Sequence, residues 1–144
     1  MYKALKISVL SICTFCLASI SACEKNNDII PNVFVDRTIF ITQPTYNQLN
    51  AVGGWIYLNN EGVRGIIVYR KTIDEFRAYD RNCTFDPAEA CATVDVESSG
   101  LSAIDNCCGS VFELTEGFVI NGPATVSLKR YQTFFDGAAL RITN

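Results

Sequence analysis

Histidine is absent from all 144 residues of the chain. That absence removes Ser/His/Asp triads, Cys/His nucleophile pairs and every imidazole metal ligand. Cationic clustering is also missing. The 12 lysines and arginines stand against 15 acidic residues and form no stripe, so nucleic acid has no electrostatic footprint to meet. There is no glycine-rich phosphate loop, no internal repeat, no low-complexity tract and no sustained 3.6-residue apolar period. The lone tryptophan, Trp55, and the tyrosines read as core rather than site. The length suits one domain with a single core of ordinary size.

The N-terminus is the exception to the even composition. Lys3 and Lys6 form a positive start, and residues Ile7 to Ile20 carry no charge. This run is too short and wrongly flanked for a transmembrane helix and reads as a signal peptide over residues 1–22. The junction Ile20-Ser21-Ala22-Cys23 resembles a bacterial lipobox, which implies cleavage before Cys23 and lipidation of its thiol. The expected location is the bacterial cell envelope, as a membrane-anchored lipoprotein facing the periplasm or the cell exterior. Acyl chains contribute about 0.8 kcal/mol per buried methylene, enough for stable retention when several are joined at one residue. Residues 23–32 read as the lipidated start and a polar tether, with the domain at 33–144. At about 3.3 Å per residue, Glu24 to Asn32 would reach up to roughly 30 Å.

From residue 33 onward the chain reads as β-structure. Val33–Ile41 is rich in β-branched residues. After a break at Gln43-Pro44-Thr45, Tyr46–Val52 is a connecting segment of open type. Strands are expected at Trp55–Leu58, Gly65–Tyr69 (an apolar run suited to a buried central strand), Phe76–Asp80, Thr93–Glu97 and Leu101–Ile104. Further strands follow at Val111–Leu114, Phe118–Ile120, Val126–Phe135 and Leu140–Thr143. Turn residues punctuate them, among them Asn59-Asn60-Glu61-Gly62, Ser98-Ser99-Gly100 and Asp136-Gly137. Many short strands with frequent turns imply an all-β antiparallel sandwich or small barrel.

Of the 7 cysteines, Cys13 and Cys16 lie in the signal and Cys23 at its junction. Cys83, Cys91, Cys107 and Cys108 remain for the domain. An even set in an exported chain reads first as disulfides, with three connectivities open, and second as a metal site. A Cys₄ site would use Cys83, Cys91, Cys107 and Cys108. Adjacent cysteines point to opposite faces of extended backbone, however, and known Cys₄ sites space their ligands further apart.

Two stretches carry a family resemblance. Asp105-Asn106-Cys107-Cys108-Gly109-Ser110 is followed by a short apolar hairpin and the Gly122-Pro123-Ala124 loop, and Cys83-Thr84-Phe85 lies upstream. Together they resemble a Rieske iron–sulfur domain, in which Cys-Thr-His and Cys-Pro-Cys-His-Gly-Ser loops hold a [2Fe–2S] cluster beneath a proline loop. The resemblance spans roughly the last hundred residues. It implies a Rieske-type antiparallel sandwich or barrel carrying a small cluster-binding-like subdomain.

Carried over position by position, Cys83 matches the first thiolate and Phe85 stands at the first histidine. Asp105 stands at the second thiolate and Cys108 at the second histidine. Phenylalanine cannot ligate and a lone carboxylate is a poor soft-metal ligand, so an intact His₂Cys₂ cluster is excluded. Ser110 matches the family serine that bonds cluster sulfur, and Pro123 the covering loop. One large class of the family has a disulfide between the two loops, which by resemblance implies Cys91–Cys107, with Cys83–Cys108 as a second bond replacing the cluster. Cys83–Cys107 with Cys91–Cys108 is the rival pairing. Glu113 and Glu116 read as a solvated face. The expectation is a non-enzymatic, cofactor-free binding or structural module at the envelope, with its protein partner unspecified. A [2Fe–2S] electron-transfer protein with cysteine-based ligands is the alternative.

Overall fold

The computed structural model describes residues 29–144. The signal peptide, Cys23 and the first part of the tether lie outside the described residues. Ten strands form two antiparallel sheets. The strands are β1 (Asp36–Phe40), β2 (Trp55–Leu58), β3 (Ile66–Arg70), β4 (Phe76–Asp80), β5 (Val94–Val96), β6 (Ser102–Asp105), β7 (Val111–Glu113), β8 (Val119–Asn121), β9 (Arg130–Phe135) and β10 (Ala139–Thr143). A six-stranded sheet runs β1-β10-β9-β4-β3-β2, and a four-stranded sheet runs β5-β6-β7-β8. This is the all-β antiparallel architecture with a small subdomain that the sequence leads one to expect. The open segment after β1 is a 3₁₀ helix, Pro44–Asn50, which seats Leu49 in the core.

The central strand explains how two sheets share one molecule. Every residue of β3 is buried. Side chains alternate across a strand, so Ile66 and Val68 enter one apolar cluster while Ile67 and Tyr69 enter another. β2 and β4 divide the same way: Ile56, Leu58, Phe76 and Ala78 face the first cluster, and Trp55, Tyr57 and Tyr79 the second. The first cluster is closed by Ile39, Tyr131, Leu140 and Ile142, where β1, β10 and β9 continue the sheet. The second is closed by Val94, Ala103, Phe112 and Leu114 of the small sheet and its turns, with Ala124 and Leu128 beyond it. Strands β2 to β4 therefore form a wall between two cores. Fully burying one aliphatic side chain contributes about 1.5–3 kcal/mol, and Ile66, Ile67 and Val68 are all at 0% exposure.

Asp80, at the end of β4, is buried at the seam. Its carboxylate accepts hydrogen bonds from the amides of Val63 (2.7 Å), Arg64 (3.3 Å) and Asn82 (2.8 Å) and from the Tyr131 hydroxyl (2.8 Å). Burial, with Asp80 next to it, raises the Tyr131 phenol well above its ordinary value.

The segment expected as the end of a tether belongs to the folded unit. Ile30 is buried. Lys129 Nζ donates to the Pro31 carbonyl at 2.7 Å and to Asn32 Oδ1 at 3.1 Å. The Asn144 amide donates to Asn32 Oδ1 (2.9 Å) and to the Val33 carbonyl (2.6 Å), and its oxygen accepts from Val35 N (3.1 Å). Composition suggested solvation here, but the apolar pair Ile29-Ile30 supplies a side chain to bury.

Candidate functional site

Three loops meet at one end of the small sheet. The first leaves β4 and runs through Cys83 to Cys91, closed by the Asn82–Thr93 bridge and by Cys83 N donating to Ala92 O at 3.0 Å. The second joins β6 to β7 and contains Asp105 to Ser110. It is a tight turn in which Gly109 N donates to Asp105 O at 2.7 Å, with Gly109 at φ +80°. The positive φ suits glycine, which carries no Cβ to clash. The third follows β8 and carries Gly122-Pro123-Ala124, with a cis peptide before Pro123.

Ser110 ties the second loop to the third. Its buried hydroxyl accepts from Ala124 N at 2.9 Å and lies 3.1 Å from the Cys108 sulfur. The Asn121 amide adds a bond to Gly109 O at 3.1 Å. The first and third loops meet where the Thr84 hydroxyl donates to Val126 O. The first and second are joined covalently by a Cys91–Cys107 disulfide, with Cα atoms 5.6 Å apart.

Cys83 and Cys108 do not form the second bond expected with it. Both are free thiols, and their sulfurs stand 3.9 Å apart, against about 2.05 Å for a disulfide. Between them stands a residue that the ligand comparison had discounted. Asp105 is fully buried; Oδ1 accepts from Cys107 N at 2.7 Å, and Oδ2 receives the Cys108 thiol at 3.3 Å. Donor atoms of Cys83, Asp105 and Cys108 all lie within 4.8 Å of one another. Desolvation, reinforced by the hydrogen bond to Asp105, pushes the Cys83 thiol far above its ordinary value, so it is protonated at neutral pH.

The Cys₄ ligand set is corrected as well. Two of its sulfurs, those of Cys91 and Cys107, are bonded to each other. The convergent donors are two thiols and a carboxylate. A [2Fe–2S] cluster requires four ligands and the Rieske form requires two imidazoles. Phe85, at a histidine position, is half-buried against the second core. The residues present therefore do not fit the cluster that the resemblance implies.

The site opens onto a cavity of about 220 Å³ lined by Phe85, Asp86, Glu89, Asp105, Cys108 and Pro123. Asp86 and Glu89 place two more carboxylates at this opening. Nothing in their spacing had singled them out, since they lie inside the first loop, between Cys83 and Cys91.

Glu113 and Glu116, read as a solvated face, are partly exposed but fully engaged. The Glu113 carboxylate caps its own turn, accepting from the amides of Thr115, Glu116 and Phe118. Desolvation works against this ionised form, but the Thr115 hydroxyl and those three amides outweigh it and hold the carboxyl below its ordinary value. Glu116 pairs with Lys71, with Arg77 at 3.0 Å and with Arg130 at 3.2 Å, clasping the β7–β8 turn to the large sheet. Trp55 meets Tyr57 at a tilt, with ring centroids 4.9 Å apart and 55° between the planes, and packs against the second core.

No protein-family model matches the chain, and no curated protein does. Among solved structures, it is similar to a chain described as an NADH-dependent nitrite reductase small subunit from Mycobacterium tuberculosis. That similarity covers 78% of this chain and 97% of the other, at 17% identity and a TM-score of 0.46.

Proposed function

We propose that the protein is a Rieske-like domain that has lost its iron–sulfur cluster and serves, lipid-anchored at the bacterial envelope, as a binding or structural module rather than an enzyme. The donor set carries this reading. Of the four family ligand positions, Cys83 alone keeps its donor type; Phe85 cannot ligate, and Asp105 and Cys108 differ from the family residues. The Cys91–Cys107 bond keeps the two loops joined without requiring a cluster between them. The charged start, apolar run and Ile20-Ser21-Ala22-Cys23 junction support the anchoring part.

The test is elemental. Protein made in iron-replete cells and purified without oxygen is expected to be colourless, with neither acid-labile sulfide nor a reduced-state iron–sulfur EPR signal. Iron and sulfide in stoichiometric amounts would overturn the reading. Such a result would favour a [2Fe–2S] electron-transfer protein on cysteine ligands, which requires the Cys91–Cys107 bond to open. Anchoring is tested separately: Cys23→Ala should abolish lipid labelling and membrane retention, and full retention of that variant would refute it.

A further inference from the structure

We infer that Cys83, Asp105 and Cys108 form a mononuclear site for a borderline-soft divalent cation of the Zn²⁺ class, with a fourth coordination position facing the cavity. This rests on the reading that the [2Fe–2S] cluster is absent, because both would occupy the same space.

Geometry is the first argument. Tetrahedral zinc with Zn–S near 2.3 Å and Zn–O near 2.0–2.2 Å places two sulfurs about 3.8 Å apart and sulfur about 3.5 Å from oxygen. The structure has 3.9 Å between Cys83 and Cys108 and 3.3 Å between Cys108 and Asp105 Oδ2. The third edge, Cys83 to Asp105, is within 4.8 Å, so an inward movement of these side chains centres an ion among them.

Donor chemistry is the second. Two thiolates with one carboxylate favour zinc over the hard cations Ca²⁺ and Mg²⁺, which seek oxygen. Three protein ligands with one open position is also the pattern of zinc sites that accept water or an exogenous ligand. Here the open side is the cavity, where Asp86 and Glu89 give an acidic approach for a cation.

Support around the ligands is the third. The Ser110 amide and hydroxyl stand 3.4 and 3.1 Å from the Cys108 sulfur, placed to donate to a thiolate. Cys107 N fixes the Asp105 carboxylate at 2.7 Å. The Cys91–Cys107 disulfide and the Ser110–Ala124 bond hold all three loops in register before any ion arrives. Outer contacts of this kind orient ligands and are worth about 10–100-fold in metal affinity. On binding, the two S–H bonds are replaced by two metal–sulfur bonds and both protons leave to solvent, while the carboxylate binds as the anion.

The experiment uses the full chain with Cys13, Cys16 and Cys23 replaced by serine, so that Cys83 and Cys108 are the remaining thiols. It is purified with chelator under argon, and its thiols are counted before Co²⁺ is titrated as an optical probe. One equivalent of Co²⁺ should produce thiolate-to-cobalt charge transfer and tetrahedral d–d bands, and Zn²⁺ should bleach them. Cys108→Ser and Cys83→Ser should lose the charge-transfer band while keeping the β-sheet circular dichroism of the parent. Asp105→Asn should keep the band and weaken binding by about tenfold or more, at least the value of an outer contact. Zinc should raise the thermal midpoint of the parent and leave that of Cys108→Ser unmoved.

Absence of the band at millimolar cobalt, with two thiols present and the fold intact, would overturn the inference. So would unchanged affinity in Asp105→Asn, or a thiol count of zero showing that Cys83 and Cys108 are bonded. Iron and sulfide measured on the same preparation separate the two readings: a cluster refutes the proposed function, whereas a cluster-free protein that ignores cobalt refutes the zinc-type site alone.

Discussion

The two halves of this protein are held together by different means. The six-stranded half has strands of four to six residues, and an apolar cluster spans all six of them. In the four-stranded half the strands have three or four residues, and the last, β8, has no fully buried residue. What the small half lacks in ladder length it replaces with discrete fasteners: a disulfide, the Asp105 turn, the Ser110–Ala124 bond and the Glu116 ion pairs. Burial is distributed and tolerates local change, whereas a fastener acts at one point. A site that must hold donor atoms in place is better built from fasteners.

Perturbations at four places would break or sharpen that contrast. The largest effect is expected from Asp80→Ala at the shared wall, which leaves the Tyr131 hydroxyl and three amides without their acceptor. Hydrogen bonds to charged groups contribute about 1.5–3 kcal/mol each, so a loss of at least about 3 kcal/mol is expected. Both halves should melt together at lower denaturant. A drop confined to one half would show that the wall does not couple them.

Replacing Cys91 and Cys107 together by serine comes next. The bond spans 16 positions, and a loop of that size is worth about 3 kcal/mol in the chain-entropy model. That loss lowers global stability, and the loops should loosen further on their own. Amides of β3 should accelerate by the global loss alone and those of the three loops by more, and loop acceleration no greater than that of β3 would contradict the division.

Gly117→Ala should cost roughly 2 kcal/mol. Its φ of +81° is a region where an L-residue loses about 1–2 kcal/mol, and a Cβ there would sit 2.6 Å from Tyr79 Cε1. Chemical denaturation compared with the parent measures it, and a neutral result would mean that the β7–β8 turn can lift off the wall.

The smallest effect is on pH dependence. Hydrogen bonds from Lys71 and then Arg77 lower the Glu116 carboxyl to about 2 from its ordinary 4.5. A depressed carboxyl stabilises the fold above its unfolded value and loses that contribution as pH falls toward the folded one. Glu116→Gln should therefore flatten the decline in stability between pH 4.5 and about 2. The effect should shrink in high salt, because the clasp is solvent-accessible.

How far the sequence could be read follows the same division. The buried run at β3 and the hairpin turns rest on local pattern and were legible, and the separation into sheet and subdomain came from the family resemblance. The second core was not visible as such, because it arises only when alternate residues of β2 to β4 face a different partner. At the site, residue types gave the loops and the sulfurs. They placed Asp105 at a ligand position but did not show its setting, buried and in contact with the Cys108 thiol. Likewise the ion pairs of Glu116 are hidden in any window of sequence, since Lys71, Arg77 and Arg130 are distant along the chain. Ile30 was hidden by polar neighbours.

The contacts of Asn144 and Lys129 with residues 31–35 carry a mechanical consequence. Tension entering the described domain from its N-terminal side meets these bonds before the β1–β10 ladder, whose pairing runs from Asp36 with Thr143 to Phe40 with Ala139. Pulling from Asp36 would open that ladder one rung at a time, the geometry in which strands separate at low force. The clasp from the chain's last residue, together with the lysine before β9, shares the pull among bonds on two further segments. A protein tugged from residue 29 is thereby protected against peeling of β1 from β10.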